Sequence, residues 1–138
     1  MHREVVRAHG HENVTAAHAS TFEVTTDDYL TPAGDCILAV EADRAPADFD
    51  EAFVAAVSDA DATVTATLEA HGHEVSVEGR GDPALTYASE RSMVGRTSDY
   101  VDDRTVMLDA EYAADGFDDA LVAALADGAE ATFTLTVE

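Results

Sequence analysis

The sequence predicts an α+β domain, internally duplicated, in which a pseudo-two-fold, β-barrel-like sheet is flanked by two helices. Three observations carry that expectation. Residues 42–57, ADRAPADFDEAFVAAV, match residues 110–125, AEYAADGFDDALVAAL, at eight of sixteen positions, and residues 61–69 match residues 130–138 at five of nine. Each matched pair of segments gives an apolar stripe of helical period followed by strict strand alternation. The stretch TTDDYLTPAGDCILAVE, residues 25–41, recurs in weaker form at residues 97–109, so the match extends into the loops. A single domain over residues 1–138, built from repeats at about 1–69 and 70–138, follows.

Taken in order, residues 4–8 read as a first strand, the counterpart of residues 74–78 in the second half. The continuous apolar runs at residues 36–40 and 105–108 suggest strands covered on both faces. Phe49, Ala52, Phe53, Ala56 and Val57 form the apolar stripe of a first helix, with Asp48 and Glu51 placed as a capping-box variant. Phe117, Ala120, Leu121, Ala124 and Leu125 repeat that stripe. Val64, Ala66 and Leu68, then Phe133, Leu135 and Val137, alternate with threonines as half-buried strands with one wet face. A hairpin turns at His71-Gly72-His73. About eight strands and two helices result.

Charge restricts the partners. The chain holds 29 acidic residues against 7 basic ones, all arginine, for a net charge of −22. Concentrated salt screens such charge, so the composition fits the cytoplasm of a salt-loving organism. The acids are interleaved with periodic apolar residues, which argues against a disordered tail. Binding to duplex nucleic acid needs a basic surface that this chain lacks. No run of about 18 apolar residues is present to span a bilayer, and the N-terminus lacks the apolar core of a signal peptide. A lone Cys36 permits no internal disulfide and fits a reducing compartment. Cytoplasmic localisation is the expectation.

Acid is missing from two places. Residues 1–22 and 83–98 together hold three acids and four arginines, whereas the other 100 residues hold 26 acids and three arginines. Two readings stay open: core strands, which exclude charge anyway, or a ligand-facing surface where the stretches meet. As a surface, its arginines suit phosphate or carboxylate.

Individual residues carry competing readings. Cys36, next to Asp35, needs a nearby cation or base to act as a nucleophile; the bland reading is a buried structural thiol. The repeat aligns Asp35 with Arg104, which suggests a pair across the axis. His9, His11 and His18 allow two imidazoles on one face of a strand, yet no carboxylate stands in a recognised relation to them, so hydrogen-bonding histidines are preferred to a metal site. Asp27 with Asp28, and Asp99 with Asp102 and Asp103, lack the spacing of a calcium loop. Arg96, Thr97 and Ser98 offer donors where the first loop offers acceptors, an asymmetry that one bound ligand would require. No P-loop, dinucleotide fingerprint or nucleophile elbow is present, and no cofactor is implied.

GHENVTAAHASTFEVTTDDYLTPAGDCILAVEAD resembles an archaeal family catalogued as domain of unknown function 371, whose pattern runs roughly GHxNVxxxHxTTxExTxxxxLTxxGDC. GRGDPALTYASERSMVGRTSDYVDDRT is similar to that family's second segment. The resemblance covers nearly the whole chain. It places Gly10, His11, Asn13, His18, Thr31, Gly34, Asp35, Cys36, Gly81, Arg96, Ser98, Asp99 and Arg104 at motif positions. Asp82 and Tyr87 stand where the pattern tends to have histidine, so a mechanism needing histidines in both halves is not expected. The resemblance implies archaeal origin and carries no activity with it.

The first expectation is therefore a binding module for a small anionic ligand or an exposed nucleotide, with Arg96, Ser98, His11 and His18 as contacts. The alternatives are an enzyme using Cys36 or an Asp–His pair, and a subunit whose low-acid face meets a protein partner.

Overall fold

Eight strands form, some with period-two burial and others buried on both faces. In the structure, a computed structural model that describes all 138 residues, these are β1 (His2–His9), β2 (Thr21–Thr25), β3 (Ile37–Ala39), β4 (Thr63–Ala70), β5 (His73–Arg80), β6 (Ser92–Arg96), β7 (Thr105–Met107) and β8 (Glu130–Val137). Helices α1 (Glu51–Val57) and α2 (Asp119–Ala126) precede β4 and β8, each introduced by a short 3-10 turn. Val64, Ala66, Leu68, Phe133, Leu135 and Val137 all face the core, while the threonines between them stay partly or fully exposed. The hairpin between β4 and β5 turns through His71 and Gly72, both at positive φ.

The strands divide between two sheets. One is fully antiparallel, in the order β1-β8-β4-β5. The other runs β3-β2-β6-β7, with an antiparallel pair at its centre and parallel pairs outside. The sequence predicts a barrel-like closure, and the structure corrects it: no ladder joins the two sheets, whose strands pair only through single bridges, His9 with Val40 and Arg80 with Leu108. The cause is local. Edge strands β3 and β7 are three residues long, and the chain turns out at Glu41 (φ 53°) and Asp109 (φ 51°), so each ladder ends after one pair. One buried cluster of side chains from both sheets and both helices fills the interior.

The first helix starts later than its stripe implies. Asp48 caps the 3-10 turn by accepting from Ala45 N, and Asp50 caps α1 by accepting from Ala52 N. Phe49 therefore lies outside the helix but remains buried.

Both edges of the first sheet are occupied by side chains and loop backbone, which blunts edge-to-edge association. On β1, Arg7 exchanges bonds with Asp43, and Arg44 reaches Val5 O. On β5, Glu78 exchanges bonds with Glu111, and Tyr112 Oη reaches Ser76 O.

Tyr87, at φ 51°, is buried between Phe49 and Phe53 and donates from its hydroxyl to Val106 O at 2.6 Å. Burial pushes the ionisation of that hydroxyl far above its usual range. Tyr87→Phe is expected to lower unfolding free energy by about 1–2 kcal/mol, because Val106 O loses its donor in a dry site. Urea titration checks this, and an unchanged midpoint would contradict it.

Candidate functional site

A polar layer lies on the side of the second sheet turned away from the core. Register dictates it. Thr21 is opposite Arg96, Glu23 opposite Val94 and Thr25 opposite Ser92, so these side chains share one face while Phe22, Val24 and Met93 point inward. Gly95 belongs to the inner face, where an added Cβ would meet the Phe22 ring. On the outer face Glu23, Thr25, Ser92, Arg96 and Thr105 are buried despite being polar, because residues 26–36 and 97–104 fold over them.

Arg96 organises one end of the layer. It is only 9% exposed. Its Nε donates to Thr105 Oγ1 at 2.9 Å and its Nη2 to Asp102 Oδ2 at 3.0 Å, while the Tyr100 ring sits 4.8 Å from the guanidinium. Nη1 makes no hydrogen bond to the protein and is not sealed from solvent. Asp102 Oδ2 also accepts from Arg104 Nη2 at 3.1 Å, so two guanidiniums share one carboxylate. Burial would raise the Asp102 pKa, but bonds from Arg104 and the charge of Arg96 outweigh it and hold the carboxyl below its ordinary value.

Glu23 occupies the centre. It is 9% exposed, and its Oε1 accepts from the Cys36 thiol at 3.6 Å. Cys36 O accepts from Glu23 N as Arg104 O accepts from Val94 N, so Cys36 and Arg104 flank the layer from matching places on opposite sides. This corrects the expected match of Asp35 with Arg104. Arg104 pairs with Asp102, and the backbone oxygen of Asp35 accepts from Ala17 and His18 instead.

Burial, with the nearby Glu23 charge, pushes the Cys36 thiol up to about 11. It is thus protonated at neutral pH, and no histidine bonds to it. Alkylation of folded protein at pH 8 is expected to be roughly tenfold slower than in urea, since a far smaller thiolate fraction is partly offset by greater nucleophilicity. The rate should climb steeply up to about pH 11, followed by mass spectrometry; a plateau already reached by about pH 10, as for an ordinary thiol, would refute the shift.

The other sequence-derived residues scatter. His18 Nδ1 accepts from Thr21 N and faces Thr21 Oγ1, both at 3.1 Å, which sets it at the rim of the layer. Ser98 and Asp99 are exposed in the loop that carries Tyr100, and Ser98 Oγ accepts from Tyr100 N. His11, Asn13 and Thr31 do other work. His11 Nδ1 accepts from Asn13 N, Asn13 Nδ2 donates to Leu30 O, and Thr31 O accepts from Gly34 N, so together they fasten one loop to another. His9 pairs with Glu41 at 3.3 Å. No three His, Cys, Asp or Glu side chains are arranged to hold a metal ion. The paired aspartates serve arginines: Asp27 grips Arg91, and Asp102 grips Arg96 and Arg104.

The low-acid stretches meet where β2 pairs with β6 and just beyond it, where Thr97 N and Oγ1 donate to Ser20 O. Gly10, in the first stretch, packs on the end of α2, and Gly81, just before the second, on the end of α1. Sequence reasoning missed Glu23, Thr21 and Thr105, and weighed Asp102 only as a member of an acidic cluster rather than as the partner of Arg96 and Arg104. Glu23 and Thr21 left a trace, both inside the TTxExT part of the motif, and Glu23 also as an acid between two apolar residues of a strand.

A groove of about 570 Å³ lies on the other sheet, lined by Arg7, His9, Glu41, Glu69, His71 and Glu130 among others, and holds none of the expected site residues. No helix is long and apolar enough to cross a membrane.

Two sheets around two short helices, with arginines and carboxylates layered under loops, define an α+β domain with one polar, asymmetric face. The chain belongs to the family described as domain of unknown function, DUF371, whose model matches residues 6–138. It is also 35% identical over 133 residues, 96% of this chain and 98% of the relative, to an uncharacterized protein of the archaeon Methanocaldococcus jannaschii.

Proposed function

We propose that this protein is a binding module for a small ligand bearing an anionic group, held on the outer face of the second sheet by Arg96 and Arg104 with His18 and Ser98 at the rim. One observation carries the reading: Arg96 is nine-tenths buried and fixed at Nε and Nη2, yet presents Nη1 without a protein acceptor. A buried guanidinium oriented by neighbours and open at one nitrogen is pre-organised for phosphate or carboxylate.

The asymmetry of the face fits a duplicated unit that has diverged around a single ligand. The order of three strands, 3-10 turn, helix and strand occurs twice. Positive φ occurs at Ala16 and Tyr87, and again at Glu41 and Asp109. Against that likeness, Glu23 and Thr25 stand where the other half has Val94 and Arg96.

Titration with inorganic phosphate, followed by calorimetry, tests the reading. Arg96→Met is expected to weaken phosphate at least about tenfold, the worth of a charge-assisted bond, whereas exposed Arg3→Met leaves it unchanged. Equal losses from both variants would sink it.

The Cys36 and Asp35 enzyme reading gains nothing from a thiol protonated at neutral pH. A protein-contacting face has one specific support, the exposed Tyr29 and Tyr100 on the two covering loops. Tyr29→Ser with Tyr100→Ser would then shift the native mass of a wild-type assembly, and a monomer in both forms removes that reading.

A further inference from the structure

Glu23 is the unexplained charge of the polar layer. Carboxylates almost never lie nine-tenths buried without an ionic partner. Arginines are close by, yet none is within ion-pairing distance of it: Arg91 is held by Asp27, and Arg96 and Arg104 by Asp102. Arg104 feels Glu23 only at a distance, as one of several charges that keep it protonated against burial. Arg96 and Glu23 are diagonal neighbours on one face of a strand pair, a placement from which opposite charges commonly close on each other. Here they do not. Arg96 is turned onto Thr105, Asp102 and Tyr100, and Glu23 Oε1 meets only a thiol, a weak donor. Glu23 Oε2 has no protein partner and is not sealed from solvent, which is also the condition of Arg96 Nη1.

Charge balance narrows what fits between them. Arg91, Arg96 and Arg104 balance Asp27, Asp102 and Glu23, and Asp103 beside Arg104 adds a further negative charge. An anion alone would add to that negative charge, inside a chain that already carries −22. A ligand with an anion at one end and an ammonium at the other preserves the balance and offers a partner of the right sign to each open atom.

Resting on the binding reading above, we infer that the ligand is a small zwitterion: its anionic group bonds Arg96 Nη1 and its ammonium bonds Glu23 Oε2. Glu23 is then the specificity-determining residue of the site. It selects against plain phosphates and simple carboxylates, which leave a desolvated carboxylate unanswered.

Three probes separate the possibilities by calorimetry at pH 7.5: inorganic phosphate, ethyl phosphate, and phosphoethanolamine, which adds an ammonium to the same short chain. The wild type is expected to bind phosphoethanolamine at least about tenfold tighter than ethyl phosphate, one charge-assisted hydrogen bond's worth. Glu23→Gln, nearly the same shape, is expected to erase that preference while keeping ethyl phosphate. Equal affinities in the wild type, a comparison that needs no variant, would overturn the inference and leave the anion site standing. A preference that survives in Glu23→Gln overturns it as well. Failure of all three probes removes the inference together with the binding reading.

Discussion

Gly10→Ala is expected to cost about 3 kcal/mol of unfolding free energy, and Gly81→Ala a similar amount, the upper end of what overpacking produces. The added Cβ at Gly10 would fall on the carbonyl oxygen of Leu125, and at Gly81 on that of Val57, in the last turns of α2 and α1. Neither obstacle is a flexible side-chain end; both are helix backbone, so relief requires a helix to move. Gly10 N also donates to Ala129 O and Gly81 N to Ala62 O, which pins the close approach from the other side. Gly72 offers the contrast. An added Cβ there has open space, so Gly72→Ala should cost only about 1 kcal/mol, from its φ of +79°. Urea titration of the three variants decides it, and a Gly10→Ala protein as stable as Gly72→Ala would show that the packing is misread.

Removal of Glu4 should rank next. Glu4 is 8% exposed, with Oε1 2.6 Å from Arg44 Nη2 and Oε2 accepting from Asp50 N at 2.9 Å. It therefore joins β1 to the residue that caps α1. Breaking a buried pair from one side costs about 3–5 kcal/mol, but Arg44 keeps roughly a third of its side chain in water, which lowers the expectation for Glu4→Ala to about 2 kcal/mol. Arg91→Gln breaks an ion pair just as short, 2.6 Å to Asp27, but one whose arginine is 63% exposed, so less than about 1 kcal/mol is expected. Equal losses from the two substitutions would mean that burial is not what gives the Glu4 pair its weight.

Much of this fold is legible in the chain because its signals are periodic. Alternation identified β4 and β8 and the hairpin into β5, and the internal match anticipated an element order that occurs twice. Register was less legible. Ala62 O and Ala129 O receive bonds from Gly81 and Gly10, so Thr63 and Glu130 open corresponding strands, whereas the sequence match sets Thr63 against Thr132. A slip of two leaves every side chain on the same face, so alternation cannot detect it. The slip that aligned Asp35 with Arg104 has a different origin: the covering loops differ in length, and loops carry no period.

The sequence by itself determined the α+β class, the two helices, the alternating strands, the family and the net charge of −22, because each depends on local spacing or on sums. Only the tertiary structure decided that the strands form two sheets, and that Asp102, rather than Asp35, holds Arg104. It also singled out one glutamate among 29 acids. In the chain Glu23 is one acid in a strand; in the fold it is a carboxylate under two loops whose neighbouring arginines belong to other partners. Burial and partner choice are set by residues distant in the chain, and no local pattern encodes them.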